Sequence, residues 1–190
     1  LPDSEITSGI GEIIKYAFLS EKKFYSYVKK NVLKIYEDDL KILEEIVLKS
    51  VKIKAGVVSQ DEKEGSLRKI LNLGHTFAHA FETDLNFKIK HGEAVIAGII
   101  SALFLAEKTG ILTKKKLNEF IELPLKIKLS GRIKSLNNEN AYSVMLSDKK
   151  NREGKIKFVL PADTGSILID VEADKNDVLY SLSKTKEILS

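Results

Sequence analysis

The chain has 190 residues, 43% of them hydrophobic and 31% charged, the balance of a folded unit and not of a disordered one. Its net charge of +4 comes from 31 basic and 27 acidic side chains mixed along the chain, which excludes the basic footprint of a nucleic-acid binder. Cysteine is absent, which excludes disulfides, iron–sulfur ligation, Cys-type zinc sites and a thiol nucleophile, so a metal ion must be held by His, Asp or Glu.

The length predicts one domain, or two small ones. There is no internal repeat, and Pro2, Pro124 and Pro161 are the only prolines, so long helices are permitted. Ser8 to Tyr27 reads as a helix with apolar Ile10, Ile13, Ile14, Ala17 and Phe18. Asp38 or Asp39 can cap a long helix running to about Ser59, with Leu40, Leu43, Ile46, Val47 and Val51 as its apolar stripe. Gln60 to Ser66 is polar and contains Gly65, which predicts a loop. Leu67 to Glu82 reads as a further helix, and His91 to Thr109 as a very apolar one ending at Gly110. Thr113 caps a short helix ended by Leu123-Pro124, and Leu129 to Ser147 mixes helix and loop. Lys155 to Leu160 and Ser166 to Val171 alternate as two short strands, and Asp174 to Leu189 forms a last amphipathic helix. The expected fold is mainly α, multihelical, with a small β element near the C-terminus. The longest apolar run, Ala94 to Ala106, is shorter than the roughly 20 residues of a membrane span, and no signal peptide is visible. The expectation is a cytoplasmic protein with neither membrane nor nucleic acid as partner.

All three histidines lie between positions 75 and 91. At helical spacing Arg68, Asn72, His75 and His79 form one polar stripe flanked by Ile70, Leu71, Leu73 and Phe77. Such a stripe is costly to bury unless it faces a ligand, metal or partner; the plain alternative is a solvated face, which would more naturally carry Lys and Glu. His91 opens the next helix beside Gly92 and can complete a metal site with one or both earlier histidines. The carboxylate such a site needs can come from Glu12, Glu64, Glu82, Asp84 or Glu93. Glu12 stands out because it is embedded in Ile10-Gly11-Glu12-Ile13-Ile14 with Lys15 one turn on, although a Glu–Lys surface pair would look the same. Lys54 lies on or beside the apolar stripe of its helix, either snorkelling or aimed into an anion site. Lys114 to Lys116 reads as a solvated face without a role.

At these residues the sequence resembles the 3-dehydroquinate synthase family of the shikimate pathway. The resemblance rests on Ser8-Gly9-Ile10-Gly11-Glu12-Ile13-Ile14-Lys15, Lys52-Ile53-Lys54-Ala55-Gly56-Val57-Val58 and Asp61-Glu62-Lys63-Glu64. It continues through the uninterrupted stretch from Arg68 to Glu82, then His91-Gly92-Glu93-Ala94-Val95 and Asp148-Lys149-Lys150. The resemblance implies that Glu12, His75 and His91 hold a catalytic divalent metal, Zn2+ or Co2+. It makes Lys15 and His79 phosphate contacts and Asn72 a substrate-site residue, and leaves open whether Lys149 or Lys150 adds a further phosphate contact. Arg68 and Lys54 would hold the substrate carboxylate, with Glu64 orienting them.

The implied reaction converts the sugar phosphate 3-deoxy-D-arabino-heptulosonate 7-phosphate into 3-dehydroquinate and phosphate, with transient oxidation by NAD. The chain has no Gly-rich strand–turn–helix of the nucleotide-binding kind. The resemblance therefore implies a single C-terminal metal- and substrate-binding domain, inactive alone, with the N-terminal NAD-binding domain outside this chain, in an enzyme that forms a homodimer. Three other readings stand beside it: a related sugar-phosphate cyclase, an iron-dependent polyol dehydrogenase, and a non-catalytic metal-binding or dimerisation domain that uses Ala94 to Ala106 at an interface. Arg68 with Lys54 speaks for a carboxylate-bearing substrate, and the wording from Asn72 to His79 speaks against the dehydrogenases.

Overall fold

The computed structural model describes residues 1–37, 39–61, 66–147 and 155–190. The chain runs α1 (Asp3–Leu19), α2 (Lys22–Asn31), a 3-10 segment (Val32–Glu37), α3 (Leu40–Gln60), a second 3-10 segment (Leu67–Asn72) and α4 (His75–Asp84). There follow α5 (His91–Lys108), α6 (Lys114–Leu125), a short 3-10 turn (Arg132–Ser135), α7 (Asn138–Ser147), β1 (Phe158–Asp163), β2 (Ser166–Val171) and α8 (Lys175–Ile188). This is the expected helical architecture with one antiparallel hairpin near its end.

Helix α5 is the axis of the fold. It is buried without a gap from Gly92 to Ala106, and α1, α4, α6, α8 and β1 pack around it. Its one hydroxyl in that stretch, Ser101, is satisfied by the carbonyl of Ala97 and by Thr185 of α8 at 2.8 Å. The apolar run Ala94 to Ala106 is thus buried in the core of this chain, which leaves the alternative reading of that run as an interface without support. Among the described residues no helix is long and apolar enough to cross a membrane.

Several boundaries differ from the sequence expectation for local reasons. The helix expected over Ser8 to Tyr27 starts earlier, at Asp3 behind Pro2, and breaks at Ser20, whose hydroxyl donates to the carbonyl of Ala17. Asp39 caps α3 as expected, accepting from the backbone N–H of Ile42 at 3.1 Å. The buried stripe of α3 is rotated from the expected one: Ile46 and Ser50 are buried, Leu43 and Ile53 pack against the core, and Leu40, Val47 and Val51 are exposed. The helix expected over Leu67 to Glu82 is two pieces, because Gly74 sits at φ 78° between the 3-10 segment and α4. Helix α6 continues through Pro124 to Leu125, and β1 begins at Phe158, the first residue paired with β2. Phe158 stacks on Phe77 of α4 with ring centroids 5.2 Å apart, which ties the hairpin to the helix that carries two histidines. Lys116 is no bystander: it pairs with Asp163 of β1 at 3.0 Å and lies over the Phe120 ring.

Candidate metal centre

Each of Glu12, His75 and His91 stands next to a glycine in the chain, and those glycines are where helices touch backbone to backbone. A Cβ on Gly11 would collide with the backbone of Gly92, and a Cβ on Gly92 with the backbone of Ser8. The hydroxyl of Ser8 accepts from the N–H of Gly92 at 3.2 Å across the same crossing. This contact brings Glu12 of α1 beside His91 at the start of α5. Likewise a Cβ on Gly98 would strike the carbonyl of Gly74, so α5 also fixes the turn from which His75 opens α4.

The three side chains converge. Glu12 Oε1 lies 3.6 Å from His75 Nε2 and 4.0 Å from His91 Nε2. One ligand atom from each residue falls within 4.8 Å of the others. The other carboxylate oxygen of Glu12 accepts from Lys15 Nζ at 2.7 Å. Oε1 itself is buried, and among the described residues no donor meets it with hydrogen-bond geometry. A buried carboxylate oxygen left without a donor is costly, and a divalent cation at that point would satisfy it.

Both imidazoles are turned the right way. His75 Nδ1 is 3.2 Å from the carbonyl of Leu73, which can only accept, so Nδ1 carries the hydrogen and the Nε2 lone pair faces Glu12. His91 Nδ1 is 2.9 Å from Glu82 Oε1, which by the same reasoning leaves its Nε2 lone pair toward Glu12. Burial, with the Lys15 charge behind it, pushes the His75 imidazole down to about 4, so it is neutral near pH 7, the form that ligates a metal. Burial opposes ionisation of Glu12, but the charge and hydrogen bond of Lys15, helped by His75 and His91, hold its carboxyl below the usual range. Burial and Glu12 together push the neighbouring Tyr16 phenol up to about 12. Two imidazoles and one carboxylate are the donor set of open, catalytic zinc sites, whereas structural sites close with four protein ligands.

The remaining candidates surround this group in different ways. Lys15 is buried; burial pushes its ammonium down, Glu12 opposes this, and the Lys54 charge adds to it. Lys54 itself is exposed on α3. His79 stands one turn beyond His75 with its ring edge-on at 5.8 Å; it is exposed and does not join the three-residue ligand group. The open choice between one or both of the spaced histidines is thereby narrowed to His75. Arg68 and Asn72 sit half-buried in the 3-10 segment that leads into His75. Glu64, Lys149 and Lys150 lie outside the described residues.

Of the other candidate carboxylates, Glu82 meets His91 as described above, whereas Glu93 and Asp84 are engaged elsewhere. Glu93 accepts from the N–H of Ser130, and Asp84 from the N–H of Asn137 before α7. Sequence reasoning gave no role to Asp61 or Asp170. Asp61 accepts from the N–H groups of Ser66 and Arg68, at 2.8 and 3.0 Å, and so seats the 3-10 segment. Its place within the polar stretch Gln60 to Ser66 is a usable cap signal in the sequence. Asp170 on β2, held at φ 54°, pairs with Lys69 of that segment at 2.6 Å, a contact no local sequence signal carries.

Comparison with known proteins gives the chain a family. The profile of the 3-dehydroquinate synthase C-terminal family matches residues 9–151. The 3-dehydroquinate synthase of Campylobacter fetus is 41% identical over 187 residues, which cover 98% of this chain and 53% of that protein. That of Leptospira interrogans is 41% identical over 195 residues, covering 99% and 52%. The chain thus spans about half the length of the curated relatives it matches. Among solved structures, a 2-deoxy-scyllo-inosose synthase complexed with carbaglucose-6-phosphate, NAD+ and Co2+ superposes with a TM-score of 0.80 at 20% identity, covering 96% of this chain and 52% of that one. The 2-epi-5-epi-valiolone synthase of Streptomyces hygroscopicus, with NAD+ and Zn2+ bound, gives 0.79 at 19% identity, covering 96% and 51%. At such identities these two speak for the fold alone. On the profile match across most of its length, this chain belongs to the 3-dehydroquinate synthase family, along that family's C-terminal part.

Proposed function

We propose that this chain forms the metal- and substrate-binding part of a 3-dehydroquinate synthase, which converts 3-deoxy-D-arabino-heptulosonate 7-phosphate into 3-dehydroquinate and inorganic phosphate. The observation that carries the reading is the buried oxygen of Glu12, met by no donor among the described residues, between two imidazole lone pairs in a chain of this family. Glu12, His75 and His91 would hold the divalent ion, Zn2+ or Co2+. Such an ion, when bound, polarises substrate oxygens and acidifies the adjacent C–H. NAD, which the N-terminal part of such an enzyme would hold, would supply transient oxidation without net consumption.

The chain's own residues bind and orient. Lys15, buried and already tied to Glu12, presents its ammonium beside the metal, where it would meet the substrate phosphate together with His79. Lys149 or Lys150 would add a further cation there. Arg68, its backbone seated by Asp61, would pair with the substrate carboxylate alongside Lys54, with Glu64 orienting both. Asn72 would bond substrate hydroxyls. Holding the phosphate in place is itself catalytic, because elimination needs its departure aligned with the C–H that is lost. A related cyclase acting on a substrate without a carboxylate is the second reading; the relatives at 41% identity favour the synthase.

The test is phosphate release from the heptulosonate phosphate with NAD and Zn2+ or Co2+. The chain is assayed alone and mixed with the separately expressed N-terminal half of the Campylobacter fetus relative. The expected result is release only in the mixture, abolished by His75→Ala. Release by the chain alone would overturn the division of labour, and no release from a mixture that binds metal and NAD would overturn the substrate assignment.

A further inference from the structure

Glu82 approaches the centre without being one of its three ligands. It lies seven residues after His75 on α4, two turns along the same face, and its side chain is 15% exposed. Its Oε1 meets His91 Nδ1 at 2.9 Å, while the His91 side chain is 45% exposed. The two imidazoles of the centre are therefore anchored by different means. His75 is held by a backbone carbonyl that belongs to the turn at Gly74. His91 opens α5 from the preceding loop, and the bond that fixes its ring comes from a charged side chain on another helix.

A neutral imidazole has two tautomers, and only the one with hydrogen on Nδ1 leaves Nε2 free toward Glu12. An ionised carboxylate at Nδ1 selects that tautomer, fixes the ring plane and makes Nε2 a better donor. It also adds a second negative charge, beside that of Glu12, around a site meant for a dication.

From these contacts we propose that Glu82 is a positioning residue: by setting the tautomer and orientation of His91 it raises the affinity of the centre for its metal ion. The proposal rests on the reading of Glu12, His75 and His91 as a metal centre. It is tested on the metal-free 190-residue chain and its variants in two ways. Long-range proton–nitrogen NMR reports the tautomer of the His91 ring. Competition with a chromophoric chelator reports Zn2+ affinity.

The expected result is an Nδ1–H tautomer in the wild type that shifts toward Nε2–H in Glu82→Ala, with zinc bound about 10–100-fold more weakly. Glu82→Gln, which keeps an acceptor but not the charge, should lose only about 3–10-fold, and it carries the test if Glu82→Ala does not fold. Thermal melts of the metal-free proteins show whether the fold is kept, since a merely structural contact would lower the melting temperature without moving the tautomer. An unchanged tautomer and unchanged affinity in both variants, with zinc still bound, would overturn the role of Glu82 and leave the metal centre standing. Failure of the wild-type chain to bind zinc would overturn both.

Discussion

His75 is neutral in the folded chain down to about pH 4, whereas an unconstrained imidazole takes up its proton near 6.5. Between those values the unfolded state binds more protons than the folded one, so stability present above pH 6.5 is lost as the pH falls toward 4. The window is worth up to about 3 kcal/mol. Glu12, held below its usual range, acts with the same sign at lower pH. Urea melts of the metal-free chain should therefore shift to lower midpoints between pH 7 and pH 4.5, and His75→Gln should flatten that dependence. The residues of this centre were partly legible in the sequence. The clustering of all three histidines and the embedding of Glu12 pointed to them, but helical spacing alone could not separate His75 from His79. What separates them is the approach of α1 and α5 from elsewhere in the chain, which puts Glu12 and His91 near His75 and leaves His79 exposed. Glu82 reads in the sequence as one of several candidate ligands, and its contact with His91 joins α4 to the start of α5.

Helices α1 and α5 cross in backbone contact at Gly11 and Gly92, and Glu12 and His91 of the candidate metal centre each stand one residue from that crossing. Alanine at either position must push the helices apart, because the obstructing atoms are backbone and cannot rotate away. Gly11→Ala and Gly92→Ala should each destabilise the chain by about 1–3 kcal/mol and weaken zinc binding. Gly9→Ala is the control: a Cβ there meets nothing within 4 Å, and the helix should gain up to about 1 kcal/mol. Denaturant melts and zinc titrations of the three variants check this contrast. The periodicity of α1 and α5 is readable, and that of α3 only in part. Leu43 and Ile46 face the core as their spacing implies, but Leu40, Val47 and Val51 are exposed, and the buried Ser50 hides the true stripe from a hydrophobicity pattern. The break at Gly74 was missed for a related reason: Arg68 to His79 has helical spacing, while the left-handed turn is imposed by contact with Gly98.

At the scale of the molecule, one buried helix is wrapped by the elements that carry the site, so core and site are mechanically the same structure. Phe77 shows the link: it is buried on α4 between the histidine-bearing face and the hairpin, stacked on Phe158. Phe77→Ala should cost about 3–5 kcal/mol in a urea melt and reduce zinc affinity with it. The mainly helical class, the terminal hairpin and the buried character of Ala94 to Ala106 were all visible in composition and periodicity. The partner of that helix was not, because an apolar face does not say whether its own chain or another copy covers it. Glu12, His75 and His91, from three helices, converge as one candidate metal centre. Calorimetric titration of Zn2+ into the metal-free chain tests it most directly. One equivalent should bind, with at least about 100-fold weaker binding in Glu12→Gln, His75→Ala and His91→Ala, and near wild-type binding in His79→Ala. No binding by the wild type, or a loss in His79→Ala equal to that in His75→Ala, would contradict it.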